Sequence, residues 1–421
     1  MRKTFILLPF LMAVCLLLQA QPGALDTGFP AVPQAGLSNG SFQPIVRTVL
    51  EQPDGKLLLG GNFDAYNGVA RNGVLRLNAD GSLDEAYHPV FEEVLPAGKL
   101  VLQTDGKLWV ARQQPISATT SQCLMRLMPN GSIDGSFSCG TGFSLNNFSS
   151  GIINALLLQP DGKLVVGGMF DSYNGVNEHN IIRLNADGTI DHSFDPGSGI
   201  ATSPGFGNPV VYSLALDDNG KILVGGNFQL YNGTSVTGLV RINSDGSRDN
   251  SFQTGSGPTF LNVAGSGLVE SILLQPNGKI LAAGRFTHFD GTNRVGVVRL
   301  ESNGAVDASF ASGNIIGTGA DMGTAHVWSQ QIQADGKIIL CGFFGYGTSS
   351  GDCITRLNPD GSADPSFIPG TGLDAFGLNE QIYSSCLLST GKLMIAGNFT
   401  SYNQQSVNRV ARISTTCELS V

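Results

Sequence analysis

One short phrase recurs seven times along the chain and constrains the fold more than any other feature. Gln-Pro-Asp-Gly-Lys stands at Gln52–Lys56 and again at Gln159–Lys163, and variants of it follow at steps of 51 to 58 residues. A period of this length is typical of repeat architectures, in which each unit packs on its neighbours. The Gly-Lys pairs of the seven copies are Gly55–Lys56, Gly106–Lys107, Gly162–Lys163, Gly220–Lys221, Gly278–Lys279, Gly336–Lys337 and Gly391–Lys392.

The first full repeat predicts four short β-strands joined by turns. Val46–Glu51 favours a strand, and the turn Gln52–Gly55 leads into an apolar second strand at Lys56–Phe63. A loop with Tyr-Asn-Gly follows, then a third strand at Gly73–Asn78, an Asp-Gly turn, and a short fourth strand at Leu83–Tyr87. Helical periodicity is essentially absent, so the pattern predicts an all-β fold built from four-stranded blades.

The two ends of the chain complement each other. The seventh repeat reaches Arg409–Ile413 and lacks the fourth strand, whereas Ala24–Phe29 matches a fourth strand. Pairing of these segments would leave no open sheet edge. We therefore predict a seven-bladed β-propeller over residues 21–421, with four antiparallel strands per blade and a ring closed by the N-terminal strand completing the last blade.

The third and fourth strands share a pattern: Arg-Leu-Asn, then Asp-Gly-Ser, then Asp-x-Ser-Phe. This pattern resembles the bacterial delta-60 repeat, a unit assigned to β-propellers of exported proteins. The resemblance covers nearly the whole chain after residue 20, and it implies an architecture rather than an activity. The best copies lie at Arg183–Phe194, Arg241–Phe252, Arg299–Phe310 and Arg356–Phe367.

Residues 1–20 have the pattern of a secretory signal peptide. Arg2 and Lys3 precede the apolar run Phe5–Leu18, which is shorter than the roughly 20 residues that a membrane span needs. No later segment favours a transmembrane helix. We expect an exported protein that is secreted, periplasmic or at the cell surface.

The formal charge of −9, with no Lys/Arg cluster, argues against nucleic acid as a partner.

An aspartate recurs at one position of every repeat and has two interpretations. Oxygen-bearing side chains alternate along Asn78–Asp84, as in a calcium loop, but the distal bidentate glutamate of an EF-hand is missing. Asn and Asp beside Gly are also typical of tight turns. We favour the structural role and expect neither a metal nor another cofactor. The recurring residues are Asp26, Asp84, Asp134, Asp191, Asp249, Asp307 and Asp364.

The second strand of the first repeat ends in Gly60–Phe63, Gly-Gly-Asn-Phe. A phosphate loop is not predicted because no helix follows, and glycine here favours close packing or a bulge. Repeats two and six depart from the phrase with Val110–Gln113 and Cys341–Phe344, through either drift or a specialised contact.

Cysteine and histidine give two weak signals. Cys341 and Cys353 lie on adjacent predicted strands, so they are either a cross-strand disulfide or two buried thiols. Asp321 and His326 form an acid–histidine pair in one long loop, which is a catalytic pattern or an ordinary surface pair. A catalytic site built from one residue per blade would leave no spacing signal, so catalytic residues are unknown from the sequence.

Long, variable loops between blades are the predicted binding surface, because binding normally resides in loops on a rigid scaffold. The same loops also fit plain spacers. We expect a monomeric, non-enzymatic protein that binds a protein or a glycan there. The alternatives are an extracellular carbohydrate-active hydrolase or lyase with a channel-mouth site, and a structural module of a cell-surface apparatus. The candidate loop residues are Asn147, Phe148, Phe206, Phe260, Asn262, Asp321, His326, Phe376 and Asn379.

Overall fold

The regular structure of the chain consists entirely of β-strands where it is described. The computed structural model describes residues 21–29, 37–38, 43–91, 96–112, 124–145, 149–261, 263, 265–312, 326–344, 353–373 and 380–416. All the regular secondary-structure elements within these ranges are β-strands, which confirms the predicted all-β class. Across the same ranges, no helix has the length and apolar character that a bilayer crossing requires.

Seven three-stranded antiparallel sheets, one per repeat, form the body of the described structure. In each, the second strand lies between the first and the third. Sheet 1 comprises Ile45–Glu51, Leu57–Asn62 and Val74–Leu77; sheet 2, Ala97–Leu102, Leu108–Arg112 and Leu124–Leu127; sheet 3, Ile152–Leu158, Leu164–Met169 and Ile181–Leu184; sheet 4, Val210–Leu216, Ile222–Asn227 and Leu239–Ile242; sheet 5, Leu268–Leu274, Ile280–Arg285 and Val297–Leu300; sheet 6, His326–Ile332, Ile338–Phe343 and Ile354–Leu357; sheet 7, Ile382–Leu387, Leu393–Gly397 and Val410–Ile413.

The segment predicted as a fourth strand contributes only one bridging residue to each sheet. In sheet 1, Leu83 bridges Leu77, and the amide of Asp84 then donates to the carbonyl of Arg76 at 3.0 Å. The chain turns at once, because the amide of Tyr87 donates back to the carbonyl of Asp84 at 3.2 Å. The same bridge occurs as Leu127–Ile133, Leu184–Ile190, Ile242–Arg248, Leu300–Val306 and Leu357–Ala363.

The recurring aspartate sets this turn and ties it to the second and third strands of its own sheet. In sheet 3, Asp191 Oδ2 accepts hydrogen bonds from Lys163 Nζ at 2.8 Å and Arg183 Nε at 2.7 Å. Its Oδ1 accepts from the Ser193 amide at 3.1 Å. Burial would raise the pKa of Asp191, but the bonds from Lys163, Ser193 and Arg183 outweigh it and hold that pKa well below its ordinary value. The carboxylate therefore stays charged at every physiological pH.

Each arginine of this motif also reaches the next sheet. Arg183 lies over the ring of Phe194, 4.9 Å from its centroid, and its Nη1 donates to the carbonyl of Ser244 in sheet 4 at 2.6 Å. One guanidinium thus joins an ion pair, an aromatic ring and a neighbouring main chain. The seven equivalent bonds, 2.5 to 3.0 Å long, run from Arg76 to Pro129, Arg126 to Ala186, Arg183 to Ser244, Arg241 to Ser302, Arg299 to Pro359, Arg356 to Thr415 and Arg412 to Ala79.

The apolar core is divided among the spaces between consecutive sheets. Between sheets 3 and 4, for example, Val165 and Ile181 pack with Val211 and Val224, and all four are buried. Equivalent clusters fill the other spaces between consecutive sheets. A further cluster joins sheet 7 to sheet 1, where Met394 packs with Val46. Because every sheet is covered on both faces, its second strand is apolar as far as the last residue.

The N-terminal segment pairs with sheet 7. Leu25 bridges Ile413, and the amide of Ser414 donates to the carbonyl of Ala24 at 2.9 Å. Asp26 accepts from Lys392 at 2.9 Å and from Arg412 at 2.5 Å, in the arrangement seen in the other sheets. Arg412 lies over the ring of Phe29, and this ring is buried in the cluster between sheets 7 and 1.

Short hairpins order the connections between the large sheets. The hairpin after the second strand of sheet 4, Leu230–Tyr231 and Thr234–Ser235, pairs with Ile200–Ala201 in the preceding connection. The Asn232 carboxamide at its tip accepts from the Ser198 amide at 3.2 Å. The other small sheets comprise Leu37–Ser38, Ala65–Tyr66 and Val69–Ala70; Ser149–Ser150, Phe143–Leu145, Ser172–Tyr173 and Val176–Asn177; Pro258–Thr259, His288–Phe289 and Thr292–Asn293; and Ser401–Tyr402 with Gln405–Ser406.

A β-bulge near the start of the first strand explains the second glycine of the repeated pair. In sheet 1 the register shifts between Val46 and Thr48, so Arg47 is the extra residue. The bulge brings the carbonyl of Ile45 so close to Gly61 that a Cβ there would lie 2.1 Å from the oxygen. Only glycine fits without backbone movement. The bulge recurs in the first strands of all seven sheets.

Removal of residues 1–29 should destabilise the protein far more than removal of residues 1–20. The longer deletion exposes the edge of sheet 7 and removes buried Phe29 and the counter-charge of Arg412, a loss of about 4 kcal/mol or more. Thermal unfolding and light scattering would measure this, and we expect the exposed edge to promote self-association. Equal melting temperatures for the two deletion variants, with both of them monomeric, would contradict the pairing of the N-terminal segment with sheet 7.

Acid should unfold the protein through the aspartate positions. A carboxylate with a depressed folded-state pKa stabilises the fold above its unfolded pKa of about 3.9, and this contribution is lost as the pH falls toward the folded-state value. We expect a nearly constant melting temperature from about pH 7 to pH 5 and a steep fall below about pH 4. Asp191→Asn should cost about 3 kcal/mol at pH 7 and flatten the acid branch, whereas exposed Asp161→Asn should do neither.

Candidate functional site

The bulge leaves one residue per sheet outside the regular pairing between the first and second strands. This residue always stands eight positions before the glycine of the Gly-Lys pair. Its neighbours in the first strand are mostly aliphatic or small, whereas the bulge residue itself is never aliphatic. The first strands of consecutive sheets lie against one another, and the first strand of sheet 1 also lies against that of sheet 7. The seven bulge residues are Arg47, Gly98, Asn154, Tyr212, Glu270, Trp328 and Tyr383.

Side chains from three sheets form a continuous row. The ring of Trp328 lies between those of His326 and Tyr383, with centroid distances of 5.3 and 5.2 Å and interplanar angles of 27° and 37°. Beyond Tyr383, the guanidinium carbon of Arg47 lies 5.7 Å from the phenol centroid. The row joins sheets 6, 7 and 1, and both of its sheet-to-sheet contacts are made by bulge residues.

Glu270 of sheet 5 anchors the other end of the row. Its carboxylate oxygens lie 2.9 and 3.0 Å from Nδ1 of His326, and its Oε1 accepts from Trp328 Nε1 at 3.3 Å. A carboxylate accepts hydrogen bonds only, so the His326 proton lies on Nδ1 and the other ring nitrogen, Nε2, is an acceptor when the imidazole is neutral. The Glu270 side chain is only 7% exposed, whereas His326 is 26% exposed. The pair is therefore a buried acid holding a partly accessible imidazole.

Two tyrosines of the same set remain protonated. Burial raises the pKa of Tyr212, and the charge of Glu270 raises it further. Burial also raises the pKa of Tyr383, although Arg47 acts in the opposite direction. Both phenols therefore act as hydrogen-bond donors at neutral pH.

We call these side chains the central cluster. They come from five different sheets and combine aromatic surface, a carboxylate, an imidazole, a guanidinium and two phenols. Such a set can hold a ligand with polar groups against flat rings, and its Glu270–His326 pair is chemically able to move a proton. The members of the central cluster are Arg47, Tyr212, Glu270, His326, Trp328 and Tyr383.

Of the residues proposed from the loops, three are described. His326 belongs to the central cluster. Phe206 lies against Gly265 and Phe260 lies under Arg285, 4.5 Å from its guanidinium carbon, and both rings are half-buried. These two rings therefore take part in loop packing. Among the described residues, neither ring contacts the central cluster. Asn147, Phe148, Asn262, Asp321, Phe376 and Asn379 lie outside the described residues.

The recurring aspartates are placed with lysine and arginine rather than around an ion site. In six sheets and at the N-terminal segment, each accepts from one arginine and one lysine, as Asp191 does. Among the described residues, no group of three His, Cys, Asp or Glu side chains is arranged to hold a metal.

The disulfide considered for Cys341 and Cys353 is not formed. Both are thiols in the structure. The strand register places Ile354 opposite Cys341, and Cys353 Sγ instead donates to the carbonyl of Glu380 at 3.5 Å. Burial raises the pKa of Cys341 to about 12, so this thiol is unreactive. Cys139, by contrast, is disulfide-bonded, which the spacing of the cysteines did not indicate.

The chain belongs to the family described as "Domain of unknown function (DUF5122) beta-propeller". Seven consecutive matches to this family cover more than half of the chain. None of the curated proteins matches. The matched segments are residues 52–87, 103–137, 159–194, 218–252, 275–310, 333–367 and 388–416.

Solved structures with a similar fold include a lyase and an extracellular domain. Virginiamycin B lyase from Staphylococcus aureus is 13% identical, with a TM-score of 0.54, covering 90% of this chain and 97% of the lyase. The extracellular domain assigned to a one-component system of B. thetaiotaomicron is 13% identical, with a TM-score of 0.50. That match covers 90% of this chain but only 40% of the other. At this identity the similarity extends to the fold alone.

The two tryptophans should report separately on the core and the central cluster. Trp109 is fully buried, whereas Trp328 is partly exposed. We expect acrylamide to quench Trp328, and Trp328→Phe to leave a blue-shifted emission from Trp109 that resists acrylamide. Unchanged quenching in Trp328→Phe would contradict the placement of the two indoles.

Proposed function

We propose that the seven sheets form a closed seven-bladed propeller in which the N-terminal segment supplies the fourth segment of the last blade. Three contacts between sheets 7 and 1 support closure: their first strands lie together, Arg412 donates to Ala79, and a shared apolar cluster contains Phe29. Residues 21–421 then constitute one domain. In this ring the first strands surround the axis, and the central cluster lines the channel near the connecting loops.

We also propose that the protein is exported as a delta-60-type repeat protein. The apolar run of residues 5–18, preceded by two basic residues, supports a cleaved signal. The disulfide at Cys139 supports an oxidising compartment, since disulfides persist mainly outside the cytosol. The destination is the periplasm, the cell surface or the medium.

The function we infer is non-enzymatic binding of a ligand at the central cluster. The observation that carries this inference is the run of aromatic, acidic and basic side chains contributed by bulge residues of separate sheets. A purely structural channel would not need aromatic rings in contact across two blades, with an arginine of a third blade, beside a hydrogen-bonded acid. A glycan is the ligand class that this mixture suits best, because sugars present both hydroxyls and apolar ring faces.

Hydrolysis or elimination on a carbohydrate is the second candidate, and the Glu270–His326 pair favours it. The Glu270 carboxylate orients the His326 imidazole, as a carboxylate orients a histidine that acts as a general base. Hydrolysis by the usual two-carboxylate mechanism is not supported, since Glu270 is the one carboxylate of the central cluster among the described residues. An elimination using His326 as the base would need no second carboxylate.

Screening of a glycan array, followed by titration calorimetry of the wild type and each variant, tests the proposal. Trp328→Ala or Glu270→Gln should weaken a captured glycan by about tenfold or more, corresponding to about 1.4 kcal/mol, without loss of fold. Asp161→Asn is the matched surface control. Array ligands that bind equally to Trp328→Ala would refute a site at the central cluster.

The same incubations distinguish binding from catalysis. We expect the glycan to be recovered unchanged by mass spectrometry after prolonged incubation with the wild type. Cleavage that is abolished by His326→Asn but retained in Asp161→Asn would instead establish the enzyme.

A further inference from the structure

Arg47 of the central cluster and Lys99 are near enough to repel each other, and neither has an acidic partner among the described residues. Arg47 is the bulge residue of sheet 1, and Lys99 directly follows the bulge residue of sheet 2. The salt bridges of the described chain include neither side chain, although most other lysines are paired with an aspartate. Arg47 Nε is also buried without a hydrogen-bond partner in the same part of the chain. This is an unusual arrangement because cations that are even half-buried are normally paired.

The electrostatics of the two side chains agree with this geometry. Burial lowers the pKa of Lys99, and the charge of Arg47 lowers it further. Burial lowers the pKa of Arg47 as well, although Tyr383 opposes the shift. Each group would be stabilised by an anion placed between them.

The neighbouring bulge positions carry no side chain in sheet 2 and polar side chains in sheets 3 and 4. Gly98 is the bulge residue of sheet 2 and contributes no side chain next to Arg47. Across the first strands, Asn154 and Tyr212 offer a carboxamide and a protonated phenol. The carboxamide and the phenol suit the hydroxyls of a sugar.

Building on the proposed function, we propose that Arg47 and Lys99 form a carboxylate subsite and that the ligand is an acidic glycan containing uronate residues. The carboxylate of one sugar pairs with the guanidinium and the ammonium group. Its hydroxyls bond to Asn154 and Tyr212, and the aromatic row lies alongside the neighbouring sugar.

The test compares galacturonate, glucuronate and mannuronate trisaccharides with their methyl esters, which keep the sugar rings and lose the charge. Titration at low salt, followed by Trp328 fluorescence and calorimetry, should show at least one free acid binding about tenfold or more tighter than its ester. Arg47→Gln should abolish that preference, and Lys99→Gln should reduce it. Arg294→Gln, which removes one positive charge from a hairpin, is the matched control and should leave the preference intact. Melting temperatures establish that each variant is folded.

Equal affinity for acid and ester, or no binding of any uronate, would overturn the carboxylate subsite. A neutral glycan whose affinity depends on Trp328 but not on Arg47 would do the same while leaving the proposed binding function intact. Inorganic sulfate or phosphate alone matching the uronates in a competition would also overturn it, because the subsite would then be a simple anion site.

Discussion

The arginine in each third strand determines how the sheets are assembled. Its guanidinium pairs with the recurring aspartate, lies on an aromatic ring and donates to the main chain of the next sheet. A guanidinium can do this because its five donors have a fixed planar geometry and its charge is permanent. Sheets that would otherwise meet only through apolar surface are thereby fixed in register. The same bond from Arg412 to Ala79 joins the last sheet to the first.

That framework explains how a varied site can rest on a repetitive sequence. The aspartates, arginines, turns and glycine pairs hold every sheet in the same geometry. The bulge then presents one side chain per sheet at a place where no ladder hydrogen bond or core contact fixes its identity. Contacts such as Glu270–His326 and Trp328–Tyr383 arise between sheets, 56 and 55 residues apart in the chain.

The repeat, the strand class and the turns were predictable because each has a local signal in the sequence. Gly55 and Lys56 mark a turn, and apolar runs mark second strands. The fourth strand was overestimated, since Asp84 accepts hydrogen bonds that turn the chain after one bridge. The central cluster was missed except for His326. Its signal was a position eight residues before each repeated glycine that varies more widely than its neighbours. A bulge can be located only from pairing between strands.

The bulge also has a consequence for how such a chain can diversify. A substitution at Arg47, Asn154 or Tyr212 changes what a ligand meets, while the ladder on both sides of the bulge persists. Seven such positions are spread evenly through the sequence, so single point mutations can alter recognition one blade at a time. Related chains that share the framework can therefore differ in specificity without differing in shape, and randomising these positions alone would give a library of binding proteins on one scaffold.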